Sequence, residues 1–557
     1  MSLFDTHRAL LQGALDALAT RGYWSPFPEM ASPKVYGETA QADGQAAVQA
    51  LLGKDYPLEQ PGEVGRVATE QSPYGVDIGV RYPECEPEAL IASARAAERP
   101  WAQLGRKGRF GVLLEALTRI HKRSHEIAHA VMLTTGQGPM MAFQAGGPHA
   151  QDRALEAIAY AWKALADVPE QALWEKPQGK NPPLAMQKHF ETVGRGVALV
   201  IGCATFPTWN TYPGLFAALA TGNPVIVKPH PNAVLPAAIS VSILREVLTE
   251  QGLDANLVQL ALSEDPAHTQ QLARDPAVAS IDFTGSNEFG RWLGDNARQA
   301  RLYAEMAGVN TVIVESTDQY AAMLRNLAFT LSLYSGQMCT TTQNILVPKD
   351  GIQTDEGHKS FEQVGQDLAA AVDKLLSDPR VVTAVLGAIS APQTVERIRE
   401  ASGKGRVLLA SRAVDHPDYP GARMHTPVLV ALTQQDAAIY GRECFGPVSF
   451  VVATDSADAA LEVAASTLRE QGALTLGVYS TDRAWLDRAV QLARNARVAL
   501  SINLTQGVYV NQSAAFSDYH ATGGNPAANA SYTTLAFVAD RFVVVQRREH
   551  VAAPPAA

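Results

Sequence analysis

The sequence predicts an α/β protein built on two doubly wound parallel sheets. Three observations point there. From Val193 onward, short apolar runs alternate with stretches of helical periodicity. Runs such as Val197-Ala198-Leu199-Val200-Ile201-Gly202 are apolar at every position, as a parallel strand buried on both faces requires. A second alternating unit follows from about Ala307 to Asn503, and 557 residues are too many for one compact core.

The elements follow in order. Residues 1 to 22 carry helical spacing at Leu10, Leu11, Leu15 and Leu18. Residues 23–70 are rich in Pro, Gly and Gln, and are expected as an irregular N-terminal extension. A helix opens at Pro87, and a long one from Arg106 to Leu133 places Leu113, Leu114, Leu117 and Ile120 on one face. A third runs from about Gln151 to Leu165. Strands are predicted at 197–202, 224–229, 257–261 and 279–283, separated by helices at 213–221 and 237–251. In the second unit, strands fall at 311–314, 344–347 and 447–452. The tail run Arg541-Phe542-Val543-Val544-Val545-Gln546 cannot fold alone, so it is expected to join another sheet edge, with a neighbouring subunit as the candidate partner.

Composition narrows the function. A net charge of −10 and a pI of about 5.8 argue against nucleic acid or an anionic membrane surface as primary partner. The four cysteines, Cys85, Cys203, Cys339 and Cys444, form neither a Cys-x-x-Cys pair nor a metal-ligand spacing. No disulfide framework and no metal are expected, and a reducing cytoplasm is the expected location. The N-terminus mixes acid and base without an apolar run, so it does not read as a signal peptide.

Three features suggest chemistry. Strand 279–283 feeds a turn, Gly285-Ser286-Asn287-Glu288-Phe289-Gly290, whose backbone amides and Ser286 hydroxyl can receive a pyrophosphate; alone, such a turn is more often a plain loop. Cys339, in Gly336-Gln337-Met338-Cys339-Thr340, stands just before a strand, where a thiol can be exposed and reactive rather than inert. Glu305 lies between apolar Leu302 and Met306, and a desolvated carboxylate there suits a general base, against the plain reading of a surface acid. His121, His125 and His129 fall at helical spacing, but among Lys122, Arg123 and Glu126 a solvated helix face is the better reading than a metal site.

Taken in order, Lys228-Pro229, Phe-Thr-Gly285-Ser286-x-x-x-Gly290, Glu305-x-x-Gly, Gly-Gln-x-Cys339 and Glu443-x-Phe445-Gly446-Pro447 resemble the aldehyde dehydrogenase superfamily, from about residue 73 to the C-terminus. The long N-terminal extension and the tail are most similar to its phenylacetic acid degradation branch (PaaN). The resemblance implies two Rossmann-type domains with a small β oligomerisation element. It assigns 1–70 to the extension and 71–182 with 198–306 to NAD(P) binding. Catalysis falls to 307–510, and oligomerisation strands to 183–197 and 532–549. It implies Cys339 as nucleophile, Glu305 as base, Lys228 at the adenosine ribose, Gly285, Ser286 and Gly290 at the pyrophosphate, and Glu443 with Phe445 at the nicotinamide ribose. Trp209, Asn210 and Phe516 are expected in the aldehyde tunnel. Homodimers or homotetramers are implied, and the branch implies a ring-opened, coenzyme A-linked aldehyde. A coenzyme A-releasing dehydrogenase and a non-catalytic cofactor-binding scaffold are the alternatives.

The sequence departs from the superfamily pattern at three places, of which one is mild: the usual Gly-Gly-Lys-Ser-Pro after the glutamate reads Ala307-Gly308-Val309-Asn310-Thr311. Thr205 stands where an oxyanion-stabilising asparagine is usual, while Asn210 falls five residues later. Pro231 replaces a glutamate common in NAD-preferring members. A 2′-phosphate is then not repelled, and Lys228 and His230 could pair with it, so NADP is expected ahead of NAD.

Overall fold

The computed structural model describes residues 1–551. A hairpin, β1 (Gln171–Gln178) and β2 (Asn181–Gly194), leads into a five-stranded parallel sheet. Its strands are β3 (Val197–Ile201), β4 (Val225–Lys228), β5 (Val258–Leu260), β6 (Val278–Thr284) and β7 (Arg301–Glu305), in the spatial order β5-β4-β3-β6-β7. The order reverses between β3 and β6. In such sheets ligands bind in the crevice at the carboxyl ends of the strands that flank the reversal.

The second sheet has seven strands. They are β8 (Thr311–Val314), β9 (Asn344–Pro348), β10 (Arg406–Leu409), β11 (Val428–Thr433), β12 (Val448–Thr454), β13 (Thr475–Tyr479) and β14 (Ala499–Ile502). The order is β10-β11-β12-β9-β8-β13-β14, and only β10 pairs antiparallel. The predicted strands sit within a residue or two of these limits, because each is predominantly apolar and buried at its centre.

Three expectations need correction. The helix read as 106–133 divides at Arg123 into Gly105–Lys122 and Ser124–Thr135, where the Ser124 hydroxyl donates to the His121 carbonyl at 2.7 Å. His121 therefore lies before the break and His125 and His129 after it. Nor is that face solvated: the Tyr36 ring packs on His121 and on His125, both at 5.3 Å, and Phe27 on His121 at 4.9 Å.

The segment 23–70 is not irregular throughout. It holds a helix, Ala40–Leu51, against Ser124–Thr135, and a strand, Glu63–Val67, paired with Tyr82–Cys85. The leading helix, Leu3–Thr20, packs on Gly105–Lys122 and Pro148–Ala166.

The tail strand, β15 (Phe542–Val551), finds its partner within the chain. It pairs antiparallel with β2 from Phe542↔Gly194 to Val551↔Ala185, giving the order β15-β2-β1. The strand expected at 183–197 thus starts earlier, in a polar and largely exposed hairpin, and Val197 opens the first sheet instead. Arg541 anchors the tail. It makes a bidentate, fully buried pair with Asp282 of β6, at 2.8 and 2.6 Å, and stacks over Tyr303 at 4.1 Å.

Candidate active site

Cys339 lies in the turn between a short 3-10 helix, Leu333–Gly336, and β9. Tyr334, Ser335 and Gly336 all have positive φ, which turns the chain sharply before the cysteine. Only glycine suits position 336, because a Cβ there would fall 2.7 Å from the Gly446 carbonyl carbon. Asn310 fixes the turn from behind: its Nδ2 donates to the Cys339 carbonyl at 2.7 Å and the Thr341 carbonyl at 3.1 Å. Glu305 ends β7. The site therefore forms where the carboxyl ends of the first sheet meet the amino ends of β8 and β9.

Cys339 and Glu305 come together, and His520 joins them. His520 Nε2 is 3.0 Å from Glu305 Oε2 and 3.8 Å from Cys339 Sγ. The 3.0 Å approach is poorly aligned for a hydrogen bond, and both Glu305 oxygens lack a hydrogen-bond partner among the described residues. Burial pushes the Glu305 carboxyl up, but the neighbouring His520 and Cys339 side chains and the Arg153 charge outweigh it, holding the group below its ordinary value. Burial and the Glu305 charge push the Cys339 thiol well above its ordinary value. At neutral pH the resting pair is a carboxylate beside a protonated thiol.

Cys339 borders two cavities. One is a tunnel of about 360 Å³, lined by Trp24, Met141, Phe206, Trp209, Asn210 and His520 among others. The other, about 20 Å³, is lined by Gly308, Glu443, Phe445 and Gly446. Trp209 and Asn210 lie where expected. Phe516 does not: it is fully buried away from the tunnel, edge-on to Trp24 at 5.0 Å, and its N–H donates to Glu156 at 2.9 Å. The tunnel wall uses Ser513, Ala514 and Ala515 instead, together with Tyr23, Trp24, Ser25 and Glu29 from the N-terminal extension.

Thr205 is absent from the residues lining either cavity, and its carbonyl accepts from Gln137 Nε2 at 2.7 Å. Asn210 has the better placement. The Cys203 thiol donates to its Oδ1 at 3.5 Å, which leaves Nδ2 buried without a partner at the tunnel wall.

Of the cofactor candidates, Gly285 and Ser286 follow β6 at the β3/β6 crevice, Lys228 ends the neighbouring β4, and Glu443 lies in the second unit beside Cys339. Ser286 caps the helix Asn287–Asn296 through Phe289 N–H at 3.3 Å, leaving its own proton and the helix-end amides for a phosphate. Gly290 lies inside that helix, where a Cβ would meet Met306. Lys228 closes β4; burial lowers it to about 8. Burial and the Lys228 charge lower His230 to about 4, and its Nδ1 accepts from the Asn232 N–H at 3.1 Å, so at neutral pH it brings no positive charge to a phosphate. Burial raises Glu443 to about 7, against the pull of Arg397. Gln343 ties that segment to β9, accepting from Cys444 N–H at 2.6 Å and donating to Arg442 O at 2.9 Å. A crevice at the order reversal, helix-end amides, a lysine and a carboxylate fit a dinucleotide.

From the sequence, His520 belongs to the loop expected to shape the tunnel and Asn310 to the Gly308-Val309-Asn310-Thr311 stretch, but neither carries a role there, and Arg153 is not singled out at all. Only the folded C-terminal loop brings His520 to Cys339.

The aldehyde dehydrogenase family profile matches residues 77–541. The chain is 25% identical to "1-pyrroline-5-carboxylate dehydrogenase 2" of Bacillus subtilis (strain 168) over 509 residues, 86% of this chain and 89% of that protein. It superposes on the crystal structure of an NAD-dependent aldehyde dehydrogenase from Burkholderia multivorans with a TM-score of 0.97 and 56% identity, covering 99% and 100% of the two chains. A 1-pyrroline-5-carboxylate dehydrogenase from Thermus with bound NAD shares the fold, with a TM-score of 0.73 at 19% identity over 95% of this chain and 99% of that one. With most of its length matched, and with a cysteine, a glutamate and a dinucleotide crevice converging between two parallel sheets, the chain belongs to the aldehyde dehydrogenase family and is an oxidoreductase.

Proposed function

We propose that the chain oxidises an aldehyde to a carboxylic acid through a thioester on Cys339, with Glu305 as general base. One observation carries this reading: Cys339 borders the tunnel on one side and the Glu443 cavity on the other, with an ionised, unpartnered carboxylate beside it. The thiol proton passes to the base as sulfur attacks the aldehyde carbon, giving a thiohemiacetal. Asn210 Nδ2, rather than Thr205, is the side-chain donor to its oxygen, together with the Cys339 backbone N–H. The dinucleotide, when bound, accepts the hydride. Glu305 then takes a proton from water as that water attacks the thioester carbon, and the acid leaves through the tunnel.

Lys228, Gly285, Ser286 and Gly290 hold the adenosine and pyrophosphate part, and Glu443 with Phe445 the nicotinamide ribose. NAD and NADP are both accommodated. Pro231 presents no carboxylate against a 2′-phosphate, but a neutral His230 supplies no charge to attract it, which weakens the NADP preference. The substrate is read as a ring-opened, coenzyme A-linked semialdehyde of aerobic phenylacetate degradation. The largely apolar tunnel suits an acyl chain, and its lining contains no Lys or Arg, so the coenzyme A phosphates stay outside. Tyr23, Trp24, Ser25 and Glu29 of the N-terminal extension serve as part of that tunnel's wall. The free β15 edge, with Val543, Val544 and Val545 exposed, is the candidate contact for a homodimer or homotetramer. The unpaired cysteines suit the cytoplasm.

The test is NAD(P)H formation over a panel of aldehydes, with and without a coenzyme A-linked semialdehyde, for the parent and Cys339→Ala. Acid product without added free coenzyme A, and none from the variant, is expected. Turnover that requires free coenzyme A would indicate the acylating reaction. Activity retained in Cys339→Ala would overturn the proposal.

A further inference from the structure

Glu305 is placed to take protons but has no way of its own to release them. Both its oxygens are sealed from solvent and lack hydrogen-bond partners among the described residues. A base that accepts a proton in each cycle must lose it before the next. The group within reach is His520. Its Nε2 faces Glu305 and Cys339, and the donor atoms of the three side chains all lie within 4.8 Å of one another.

His520 is held rigidly for such a task. Its backbone N–H donates to the Tyr532 carbonyl at 2.6 Å, and Tyr532 N–H returns the bond at 3.0 Å. The Trp209 ring meets the imidazole edge-on at 4.6 Å. On the far side, Nδ1 is 3.4 Å from Ser513 Oγ. Ser513 lines the tunnel and accepts from Arg153 Nη2 at 3.2 Å.

We propose that His520 is a catalytic residue of this chain, a proton carrier whose Nε2 serves Glu305 and Cys339 and whose Nδ1 delivers protons through Ser513 to tunnel water. This rests on the thioester reading above. In acylation the S–H bond breaks as the S–C bond forms, and the proton reaches His520 Nε2 directly or by way of Glu305. In deacylation an O–H bond of water breaks as its oxygen bonds the acyl carbon, the S–C electron pair returns to sulfur, and Glu305 hands the proton to Nε2. Each transfer to Nε2 makes an imidazolium, which loses its Nδ1 proton to Ser513 Oγ or to water. Nδ1 then regains a proton from water as the Nε2 proton passes to tunnel water, which restores the Nδ1–H tautomer for the next transfer.

The test compares His520→Ala and His520→Gln with the parent and with Cys339→Ala, alongside thermal midpoint and cofactor binding. Positioned acid–base groups contribute about 10²–10⁴-fold, so kcat in both His520 variants is expected to fall by about 10² or more. Added imidazole should restore about tenfold or more in His520→Ala, whose cavity opens on the tunnel, and not in His520→Gln. Either variant keeping kcat within about threefold of the parent overturns the proposal. So does a loss in folded His520→Ala that imidazole leaves unchanged. If His520→Ala does not fold, His520→Gln decides by the same kcat criterion. Normal His520 variants beside an inactive Cys339→Ala would sink the proton carrier alone; an active Cys339→Ala would sink the thioester reading itself.

Discussion

Asn310 holds the Cys339 carbonyl from one side while its own carbonyl is held from the other. Nδ2 donates to Cys339 O at 2.7 Å, and Oδ1 accepts from Leu474 N–H at 3.0 Å and Thr475 N–H at 3.1 Å. A single amide therefore ties the cysteine turn to the start of β13. Asn310→Leu leaves several buried polar groups unpaired, each worth about 1–3 kcal/mol. A lowered thermal midpoint, and slower alkylation of Cys339 in the fraction that folds, are expected. An unchanged midpoint would contradict the clamp.

Asn210 and Thr205 make opposite predictions. An oxyanion donor is worth about 10²–10³ in rate. Asn210→Ala should lower kcat by that order with little change in cofactor affinity, whereas Thr205→Ala should stay within about threefold. Steady-state kinetics on both variants check it, and a larger effect at Thr205 would reverse the assignment.

Cofactor affinity should depend on pH in both directions. Glu443, raised to about 7, is protonated below that value, which would remove the carboxylate acceptor proposed for the ribose hydroxyls. Lys228, lowered to about 8, loses its charge above that value. The cofactor KM should be lowest between about 7 and 8 and rise on either side. Glu443→Gln should flatten the acid limb, and Lys228→Met the alkaline limb.

The buried Arg541–Asp282 pair ties the tail to β6. Removing one partner strands a buried charge, at a cost of about 3–5 kcal/mol, whereas an apolar replacement of both is often tolerated. Asp282→Asn should lower the thermal midpoint sharply, and Asp282→Leu with Arg541→Met should recover much of the loss. Equal midpoints for single and double variants would count against it.

Trp24 reaches the tunnel from the N-terminal extension. Trp24→Ala should raise KM for long-chain aldehydes by about tenfold, the scale of about 1.5 kcal/mol for one buried aromatic surface partly lost. It should leave short aldehydes within about twofold. Equal changes for both would place Trp24 outside the substrate path.

The main strands of both sheets are legible in the sequence because buried parallel strands are nearly continuous apolar runs, as Val197 to Ile201 and Val312 to Val314 are. β1 is not, since Glu175, Lys176 and Gln178 leave no apolar pattern to read, and β2 is anticipated only in part, through the family resemblance at 183–197. Cys339, Glu305 and Ser286 stand beside turn and strand signals close in sequence. His520 is brought to them by the loop from Ser513 to Tyr532. That loop is fastened by Arg153, which donates to the Asp518 and Tyr532 carbonyls at 3.1 and 3.3 Å, and by Glu156, which holds Phe516. No local spacing encodes a contact that depends on a helix hundreds of residues away.

The division of space around Cys339 has a kinetic consequence. The tunnel and the Glu443 cavity share Met338 and Cys339 in their linings and otherwise have separate walls. On the proposed thioester mechanism, with the dinucleotide at Glu443, a reduced dinucleotide could depart and an oxidised one take its place while the acyl group is still bonded to sulfur. The order of the two departures is then set by their separate rates rather than by one blocking the other.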